Sequence, residues 1–393
     1  MAGSYIVAGA RTPIGKMSGA LASLSAADLG GAAIAAALER AGVSPHEVEH
    51  VLMGQVLMAG QGQVPSRQAA VKAGIPMSTP SVNINKVCLS GLNTVYLADQ
   101  MIASGEADIV VAGGMESMTN APYLADGARA GFRYGNTELR DAIIADGLWC
   151  AFDACLMGLG TERYAAGSIS REAQDELAAA SHERAANAIK DGRFADEISP
   201  ISIPQRKGEP IVVEHDEGVR PGTTPESLGG LKPAFDKEGT VTAGNASQIS
   251  DGGSAVVLMS ERAVTARGVE PLGQVVSYGM VAGPDSASLL QQPSNAIRKA
   301  LGRAGLEQSV IDLYEINEAF AAVGLASMAD LGIASDVVNV NGGAIALGHP
   351  IGMSGNRLAL TLLHELRRRG GGTGVAALCG GGGQGDALLL RTI

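Results

Sequence analysis

Cys88 stands where nucleophilic chemistry is possible, between a strand pattern and a long helical pattern in Asn85-Lys86-Val87-Cys88-Leu89-Ser90-Gly91. A helix N-terminus presents unpaired N–H groups and partial positive charge. This position therefore predicts a lowered thiol pKa and N–H donors for an oxyanion. A buried structural cysteine explains the segment alone equally well, because free cysteine is among the most buried residue types.

Three further segments carry both a functional and a structural interpretation. His349 ends the glycine-rich run 342–348 ahead of a helical pattern, and it could take a proton from a thiol, although a structural histidine fits as well. Cys379 precedes four glycines at the end of a strand pattern, which indicates either a close approach to a ligand or a tight turn. Asn317 follows strand-like Leu313–Ile316 and could hold a water or a carbonyl, or simply cap a helix.

The elements that must position these side chains alternate between short apolar runs and helical patterns. This alternation is typical of an α/β protein with a mainly parallel sheet and crossover helices. Ser25 with Asp28 resembles a capping box, and Gly42 follows the same helix. Strands are predicted at Ser4–Ala8, Val51–Val56, Ile109–Ala112, Ala255–Met259, Gln274–Ser277 and Gly374–Leu378, and helices at Ala26–Ala41, Leu89–Ala103, Arg171–Lys190, Glu318–Asp330 and Gly352–Arg369.

One helix–strand unit occurs twice along the chain. Ser90-Gly91 opens a helix followed by a strand ending in Gly113-Gly114, and Ser354-Gly355 opens another before the strand that ends at Cys379. The repetition predicts two related α/β halves. The intervening residues 120–249 are rich in turns and proline, which predicts an inserted segment that covers a ligand.

Composition excludes several classes of protein. Of 393 residues, 46% are apolar and 18% charged, which indicates a globular chain. A net charge of −11 disfavours nucleic-acid binding. Apolar runs are too short for a membrane span, and four cysteines make no disulfide framework. The N-terminus has no signal pattern and the C-terminus no peroxisomal address, so we expect a cytoplasmic protein.

Three motifs match sequence patterns that are associated with other functions. His46–His50 fits the zinc-protease pattern H-E-x-x-H, but it falls on a short turn before a strand and not on a long helix. Gly380, Gly382 and Gly385 fit a dinucleotide-binding pattern, but they lead into a strand at Ala387–Arg391. The three arginines 367–369 fall in the last turn of a helix, where cations complement the helix dipole.

Together, the ordered motifs of this chain resemble the thiolase family over essentially its whole length. The motifs that carry the resemblance are Arg11-Thr12-Pro13-Ile14-Gly15, Gly54-Gln55-Val56-Leu57, Arg67-Gln68-Ala69-Ala70, Cys88-Leu89-Ser90-Gly91, Gly113-Gly114-Met115-Glu116-Ser117-Met118, Asn317-Glu318-Ala319-Phe320, the run 342–348 with His349-Pro350, and Cys379–Gly385.

The resemblance implies a fold and an assembly. It implies two similar α/β halves packed in α-β-α-β-α layers with an inserted loop domain. Residues 1–119 and 250–270 would form the N-terminal half, residues 120–249 the loop domain that binds coenzyme A, and residues 271–393 the C-terminal half. A homo-oligomer is expected, as a tetramer built from two dimers. Coenzyme A thioesters would be substrates, with no bound cofactor and no metal.

The resemblance also implies catalytic roles. Cys88 would accept the acyl group, His349 would take the proton of Cys88, and Cys379 would exchange a proton with the methyl carbon of acetyl-CoA. Asn317 would hold a water that serves the enolate together with His349. The backbone N–H groups of Cys88 and Gly381 would serve the tetrahedral intermediate. A thiol with an ordinary pKa near 8.5 suits acid–base work in both directions.

Coenzyme A contacts are carried over in the same way. Arg220 would lie near the adenosine end, and Phe235 would flank the adenine and pantetheine. Ala243 and Ser247 would contact pantetheine, and Met157, Ala319 and Phe320 would line the thioester end. Simple core packing is the alternative for Phe235 and Met157.

Two departures from the family pattern bear on the acyl group. Short-chain biosynthetic members have His-Met-Gly where this chain has Leu156-Met157-Gly158, and a glycine-containing turn where it has Leu289–Pro293. The resemblance implies the activity of an acetyl-CoA C-acetyltransferase. Because of the two departures, the alternative is a 3-ketoacyl-CoA thiolase of fatty-acid degradation, which acts on longer or branched acyl groups. A decarboxylating ketoacyl synthase would not need Cys379, and a non-catalytic protein would not need to retain all four catalytic segments.

Overall fold

The helices and strands are described from a computed structural model for residues 3–393, so Met1 and Ala2, with which the predicted N-terminal half begins, lie outside the described residues. The strands are β1 (Ser4–Arg11), β2 (Gly15–Lys16), β3 (His50–Gly54), β4 (Ser81–Ile84), β5 (Ile109–Ser117), β6 (Tyr123–Leu124), β7 (Arg140–Asp141), β8 (Trp149–Cys150), β9 (Cys155–Leu156), β10 (Ile201–Ile203), β11 (Ile211–Val213), β12 (Ser250–Ser260), β13 (Gly273–Ala282), β14 (Leu313–Ile316), β15 (Thr373–Gly380) and β16 (Gln384–Arg391). The helices are α1 (Ala26–Ala41), α2 (Pro65–Lys72), α3 (Ser90–Ala103), α4 (Met157–Ala165), α5 (Arg171–Lys190), α6 (Pro225–Gly229), α7 (Glu261–Arg267), α8 (Gln292–Ala304), α9 (Ala321–Leu331), α10 (Ala344–Leu347) and α11 (Ser354–Arg368).

Local end signals fix the two helices whose predicted bounds are confirmed, α1 and α5. The Ser25 side chain accepts a hydrogen bond from the Asp28 N–H, and the Asp28 carboxylate accepts one from the Ser25 N–H. Gly42 ends α1 in the left-handed conformation, with φ of 60°. Ser170 caps α5 by accepting from the Ala173 N–H.

The central sheet is mixed, so the prediction of a mainly parallel sheet is wrong. Its ten strands run in the order β14-β15-β16-β13-β1-β12-β5-β3-β4, with β2 added beside β12. The pairs β3–β4, β3–β5 and β14–β15 are parallel, and the other pairings along this path are antiparallel. Apolar runs report burial on both faces of a sheet and not strand direction. The tight glycine turn 381–383 forces β15 and β16 to be antiparallel.

Two similar halves make up this sheet, as predicted. One half has the order β4-β3-β5-β12-β1, and the other repeats it with an isolated bridge at Val338 followed by β14-β15-β16-β13. The halves join edge to edge, where Tyr5 pairs with Gln274 and Ile6 pairs with Gly273. Each half contributes one helix to the middle of the molecule, α3 from the first and α11 from the second.

Helices and sheet alternate in layers. The central helices α3 and α11 pack on each other and on strands of both halves, around Leu92, Leu362, Ala112 and Leu378. Helices α1 and α2 cover the outer face of the first half, and α8 and α9 cover the outer face of the second. The α-β-α-β-α arrangement of the prediction is therefore observed.

Glycines allow α3 and α11 to meet at their N-terminal ends. A Cβ atom at Gly91 would lie 2.8 Å from the carbonyl oxygen of Gly352, and one at Gly355 would lie 2.4 Å from the backbone nitrogen of Leu92. Both contacts are shorter than van der Waals packing allows, so larger residues would push the helices apart. The crossing brings the segment before α3, which carries Cys88, next to the segment before α11, which carries His349.

Two of the motifs that match patterns of other functions have the structures predicted for them. His46 and Glu47 are exposed on a short 3₁₀ turn, Pro45–Glu47, that precedes β3. The glycine-rich run that ends at Gly385 leads into β16 and not into a helix. Within residues 3–393, no group of three or more His, Cys, Asp or Glu side chains could hold a metal ion, and no helix is long and apolar enough to cross a membrane.

Candidate active site

The turn that carries Cys88 is strained and held by side chains. Val87, the residue before it, has φ of 50°, which is unusual for a β-branched residue. The Asn85 Oδ1 accepts a hydrogen bond from the Val87 N–H at 3.1 Å, and the Ser90 hydroxyl donates to the Val87 carbonyl at 2.6 Å. These contacts keep the thiol at a fixed place between β4 and α3.

A bare glycine turn lies against the Cys88 turn. A Cβ atom at Gly380 would come within 2.6 Å of the Leu89 side chain, and one at Gly381 would lie 3.4 Å from Val87. Space at Gly380 is therefore taken by the protein's own Leu89 side chain, and the glycines that follow form the tight turn that was one of the two predicted alternatives. Cys88 and Gly381 line the same small cavity, so the two residues whose N–H groups the resemblance assigns to the oxyanion lie at one place.

His349 is buried in the segment between α10 and α11, and its hydrogen bonds define its tautomer. Its Nδ1 lies 2.6 Å from the Ser354 hydroxyl, which donates its proton to the Pro350 carbonyl at 2.9 Å. Ser354 must then accept from Nδ1–H, which leaves the lone pair on Nε2. Burial and the nearby Arg357 lower the pKa of His349 to about 3, so the ring is neutral and Nε2 can act as a base.

Asn317 contacts the same imidazole. Its Nδ2 lies 3.4 Å from the His349 Nε2, and its Oδ1 is buried without a hydrogen-bond partner among residues 3–393. Phe320, and not Asn317, is the N-cap residue of α9, so the simple capping interpretation is wrong. A buried amide oxygen without a partner is costly, so this atom is available to a polar ligand such as water.

The predicted lowering of the Cys88 pKa is wrong. Burial raises the pKa of this thiol to about 12, and the two backbone N–H donors only partly offset that effect. Burial raises the pKa of the Cys379 thiol as well, and the neighbouring Cys88 adds to the shift. The helix start is local, whereas the burial comes from segments remote in the sequence, among them Leu57, Ile143 and Ile351. Both cysteines are therefore protonated at rest, and Cys88 needs a base to become a nucleophile.

Alkylation of Cys88 by iodoacetamide is expected to accelerate continuously from about pH 6 to pH 10, because the thiolate fraction of a raised-pKa thiol grows about tenfold per pH unit below its pKa. The measurement is the modified fraction of the Cys88 peptide by mass spectrometry. Denatured protein is the control, since its thiols should level off near their ordinary pKa. A plateau of the native rate near neutral pH would contradict the raised pKa.

Two adjoining cavities bring the predicted site residues together. The inner one, of about 50 Å³, is lined by Cys88, His349, Cys379, Gly381, Met157, Ser247, Ala319 and Phe320. The outer one, of about 590 Å³, is lined by Arg220, Phe235, Ala243, Ser247, Ala319, Phe320 and His349. The shared walls make the inner cavity the closed end of the outer one, and Asn317 reaches it through its contact with His349.

Met157 and Phe235, for which core packing was the alternative to coenzyme A contact, both lie at cavity walls. Met157 is half-buried on the inner cavity, and Phe235 is half-buried on the outer one. The Phe235 ring meets the Phe320 ring edge to face, with centroids 6.2 Å apart. These side chains therefore present apolar surface to a ligand as well as to the protein.

Several residues at the site were not predicted. Ser354 fixes the tautomer of His349, and its place at the start of a repeated Ser-Gly unit was its one sequence signal. The buried Glu116 carboxylate accepts hydrogen bonds from the N–H groups of Val56, Leu57 and Gly352, and burial raises its pKa to about 7. Glu116 thereby connects the segment that carries His349 to the first half of the protein. The presence of a charged residue within the apolar run of β5 was the sequence signal that could have revealed this role. The wall residues Leu148 and Ile351 had no such signal.

Comparison with known proteins gives matches over the whole chain. The family model described as thiolase, N-terminal domain, matches residues 4–262, and the one described as thiolase, C-terminal domain, matches residues 269–392. A protein of Mycolicibacterium smegmatis named probable acetyl-CoA acetyltransferase is 57% identical over 387 residues, which cover 98% of this chain and 100% of that protein. A Mycobacterium tuberculosis protein of the same name is 55% identical over 392 residues, covering 100% of both chains. The acetyl-CoA acetyltransferase of Cupriavidus necator is 52% identical over 387 residues, covering 98% of both chains.

Proposed function

This chain belongs to the thiolase family, and from that premise we propose that it is an acetyl-CoA C-acetyltransferase, which reversibly condenses two acetyl-CoA molecules to acetoacetyl-CoA and CoA. One observation carries the proposal. A nucleophile, a neutral base and a second thiol meet at the closed end of a cavity that is large enough for a ligand arm. The names of the relatives, at 52–57% identity, support the same activity.

In the first half-reaction, His349 Nε2 takes the proton of the Cys88 thiol. The sulfur attacks the thioester carbonyl of acetyl-CoA, and the N–H groups of Cys88 and Gly381 stabilise the oxyanion. The C–S bond to coenzyme A then breaks, and the leaving thiolate takes the proton of Cys379. The enzyme now holds acetyl-Cys88, a protonated His349 and a Cys379 thiolate.

In the second half-reaction, the Cys379 thiolate removes a proton from the methyl group of a second acetyl-CoA. Its raised pKa makes that thiolate a strong base. The enolate oxygen accepts from His349 Nε2–H and from a water on Asn317, and the carbanion attacks the acetyl carbonyl on Cys88. Collapse of the intermediate releases acetoacetyl-CoA, and the Cys88 thiolate recovers its proton from His349.

The outer cavity suits the pantetheine arm and nucleotide of coenzyme A. Its walls are largely apolar, with Ala243, Ser247 and the Phe235–Phe320 pair along the path to the thioester. Arg220 and Lys16 are exposed at this cavity and would attract the phosphates. Residues 120–249, which supply much of this wall, are accordingly proposed as the coenzyme A-binding loop domain.

The inner cavity favours a short acyl group over the longer groups of a degradative 3-ketoacyl-CoA thiolase. Its volume of about 50 Å³ is less than a tenth of the 590 Å³ of the outer cavity, so it offers little room beyond the thioester. Leu289 and Met157 close this cavity, and Leu289 belongs to a 3₁₀ segment, Ala287–Gln291, that leads into α8. Leu156, which stands where short-chain members have His, lines the outer cavity and not the inner one.

Acetoacetyl-CoA is expected to be cleaved with a kcat/KM at least about tenfold above that of 3-ketooctanoyl-CoA, because extra methylenes have no room in the inner cavity. The measurement is the CoA-dependent loss of enolate absorbance with each substrate. Leu289→Ala, which enlarges the inner cavity, is expected to lower the ratio of kcat/KM for acetoacetyl-CoA to that for 3-ketooctanoyl-CoA. A wild-type preference for the longer substrate would instead place the protein with the degradative enzymes.

We also propose that the protein acts in the cytoplasm, in lipid metabolism, as a homotetramer without a bound cofactor. Support for the assembly is the resemblance, together with apolar side chains that a second copy would cover. Phe132, Tyr134, Trp149 and Phe152 are all exposed in the segment before α4.

A further inference from the structure

An ion pair joins the Cys88 turn to the strand that follows the glycine turn. The Lys86 Nζ lies 2.7 Å from Oδ1 and 3.0 Å from Oδ2 of Asp386. Lys86 is two residues before Cys88. Asp386 lies in β16 opposite Leu378, next to the pair formed by Cys379 and Gly385. The contact therefore connects the first half of the protein to the second beside both cysteines.

The carboxylate of Asp386 is fixed from its other side as well. Its side chain is fully buried, and that of Lys86 is 20% exposed. The Tyr278 hydroxyl donates to Asp386 Oδ2, and Asn93 Nδ2 donates to the Tyr278 oxygen at 3.2 Å. The Tyr278 ring stacks on Tyr96 with centroids 4.3 Å apart. Helix α3 and strands β13 and β16 thus hold the anion that Lys86 approaches.

The two N–H donors beside the Cys88 sulfur come from different halves of the protein. One belongs to Cys88 itself, and the other belongs to Gly381, and both residues line the inner cavity. Where these segments touch, the packing of Val87 on the glycine turn is apolar and non-directional. The Lys86–Asp386 pair adds a directional, charge-assisted contact at this joint, and such contacts set geometry more sharply than apolar packing does.

We propose that Lys86 and Asp386 are positioning residues, which hold the N–H groups of Cys88 and Gly381 at the spacing that a single oxyanion requires. The inference rests on the proposed function, since it concerns the intermediate on Cys88. In this proposal Lys86 acts through position and not through its charge on the thiol, because the Asp386 carboxylate, 2.7 Å away, pairs with its ammonium group. A buried carboxylate that merely needs a cation for stability is the competing explanation.

The test compares Lys86→Met and Asp386→Asn with wild-type enzyme and with Lys72→Met. The last variant breaks a Lys–Asp pair of the same 2.7 Å length, Lys72 with Asp28, in the outer layer away from the site. The measurements are kcat and KM for thiolysis of acetoacetyl-CoA, the pH profile of Cys88 alkylation, and Tm.

Each of the two site variants is expected to lower kcat by about 10- to 100-fold, because small displacements of oxyanion donors have effects of this size. The KM for CoA and the alkylation profile should stay near the wild-type values. Lys86→Arg should recover part of kcat, and Lys72→Met should leave kcat unchanged.

Lower Tm with unchanged kcat would overturn the inference and leave a purely structural ion pair. A shifted alkylation profile would overturn it as well, because the pair would then act electrostatically. Asp386→Asn keeps the shape of the side chain but removes its charge and one of its two acceptor oxygens, so its kcat decides between the explanations if Lys86→Met does not fold. Wild-type enzyme without thiolysis would remove the proposed function and the inference together, whereas active wild type with undiminished variants would remove the inference alone.

Discussion

Cys88→Ala is expected to lower both condensation and thiolysis by about 10⁴-fold or more, since no other group at the closed end of the cavity is poised to hold the acyl group. The substitution removes one sulfur atom from a half-buried position, so the fold and the Tm should be preserved. Thiolysis of acetoacetyl-CoA by purified variant and wild type measures the loss.

Cys150→Ala is the matched control for Cys88→Ala. Cys150 is a buried free cysteine in β8 that lines neither cavity. This variant should retain nearly full activity. If Cys88→Ala kept about a tenth of the wild-type rate or more, the covalent route through Cys88 would be wrong.

Cys379→Ala is expected to separate the two half-reactions. Proton transfer to and from the methyl carbon has no other donor in the proposal, so thiolysis and condensation should fall by about 10³- to 10⁴-fold. Acyl transfer to Cys88 uses the Cys379 proton only to protonate the leaving coenzyme A thiolate, and this thiolate is a good leaving group that can take a proton from solvent instead. Exchange of labelled CoA into acetyl-CoA should therefore persist at a reduced rate.

The ratio of exchange to thiolysis is the quantity to compare among variants. Cys88→Ala should lose both activities together, which makes it the reference for Cys379→Ala. Equal loss of exchange and thiolysis in Cys379→Ala would mean that Cys379 is required for acylation. Undiminished thiolysis would remove it from the chemistry.

Features encoded locally were predictable from the sequence. The bounds of α1 and α5 follow from their caps at Ser25 and Ser170, and the prediction is confirmed. By contrast, α9 begins at Ala321 and not at Glu318. The buried Glu318 carboxylate accepts hydrogen bonds from the side chains of Ser181 and Asn339, and these contacts hold residues 318–320 in a non-helical conformation. Those partners are remote in the sequence, so no local pattern could reveal them.

Features that depend on the meeting of the two halves were not predictable. The raised pKa of Cys88 arises from burial by segments remote in the sequence, and the sequence revealed only the nearby helix start. Strand direction depends on how the chain returns to the sheet and not on the apolar runs themselves. Lys86 and Asp386 stand 300 positions apart, although they form one contact beside the nucleophile.

The most direct test of the covalent route is the location of the acyl group. Wild-type protein is incubated with acetyl-CoA, quenched in acid and digested with a protease, and the masses of the peptides are measured by mass spectrometry. The covalent route predicts one acetyl group on the peptide that contains Cys88, and this group should be lost when CoA is added before the quench. Acetylation of the Cys379 peptide instead, or active enzyme without any acetylated peptide, would contradict it.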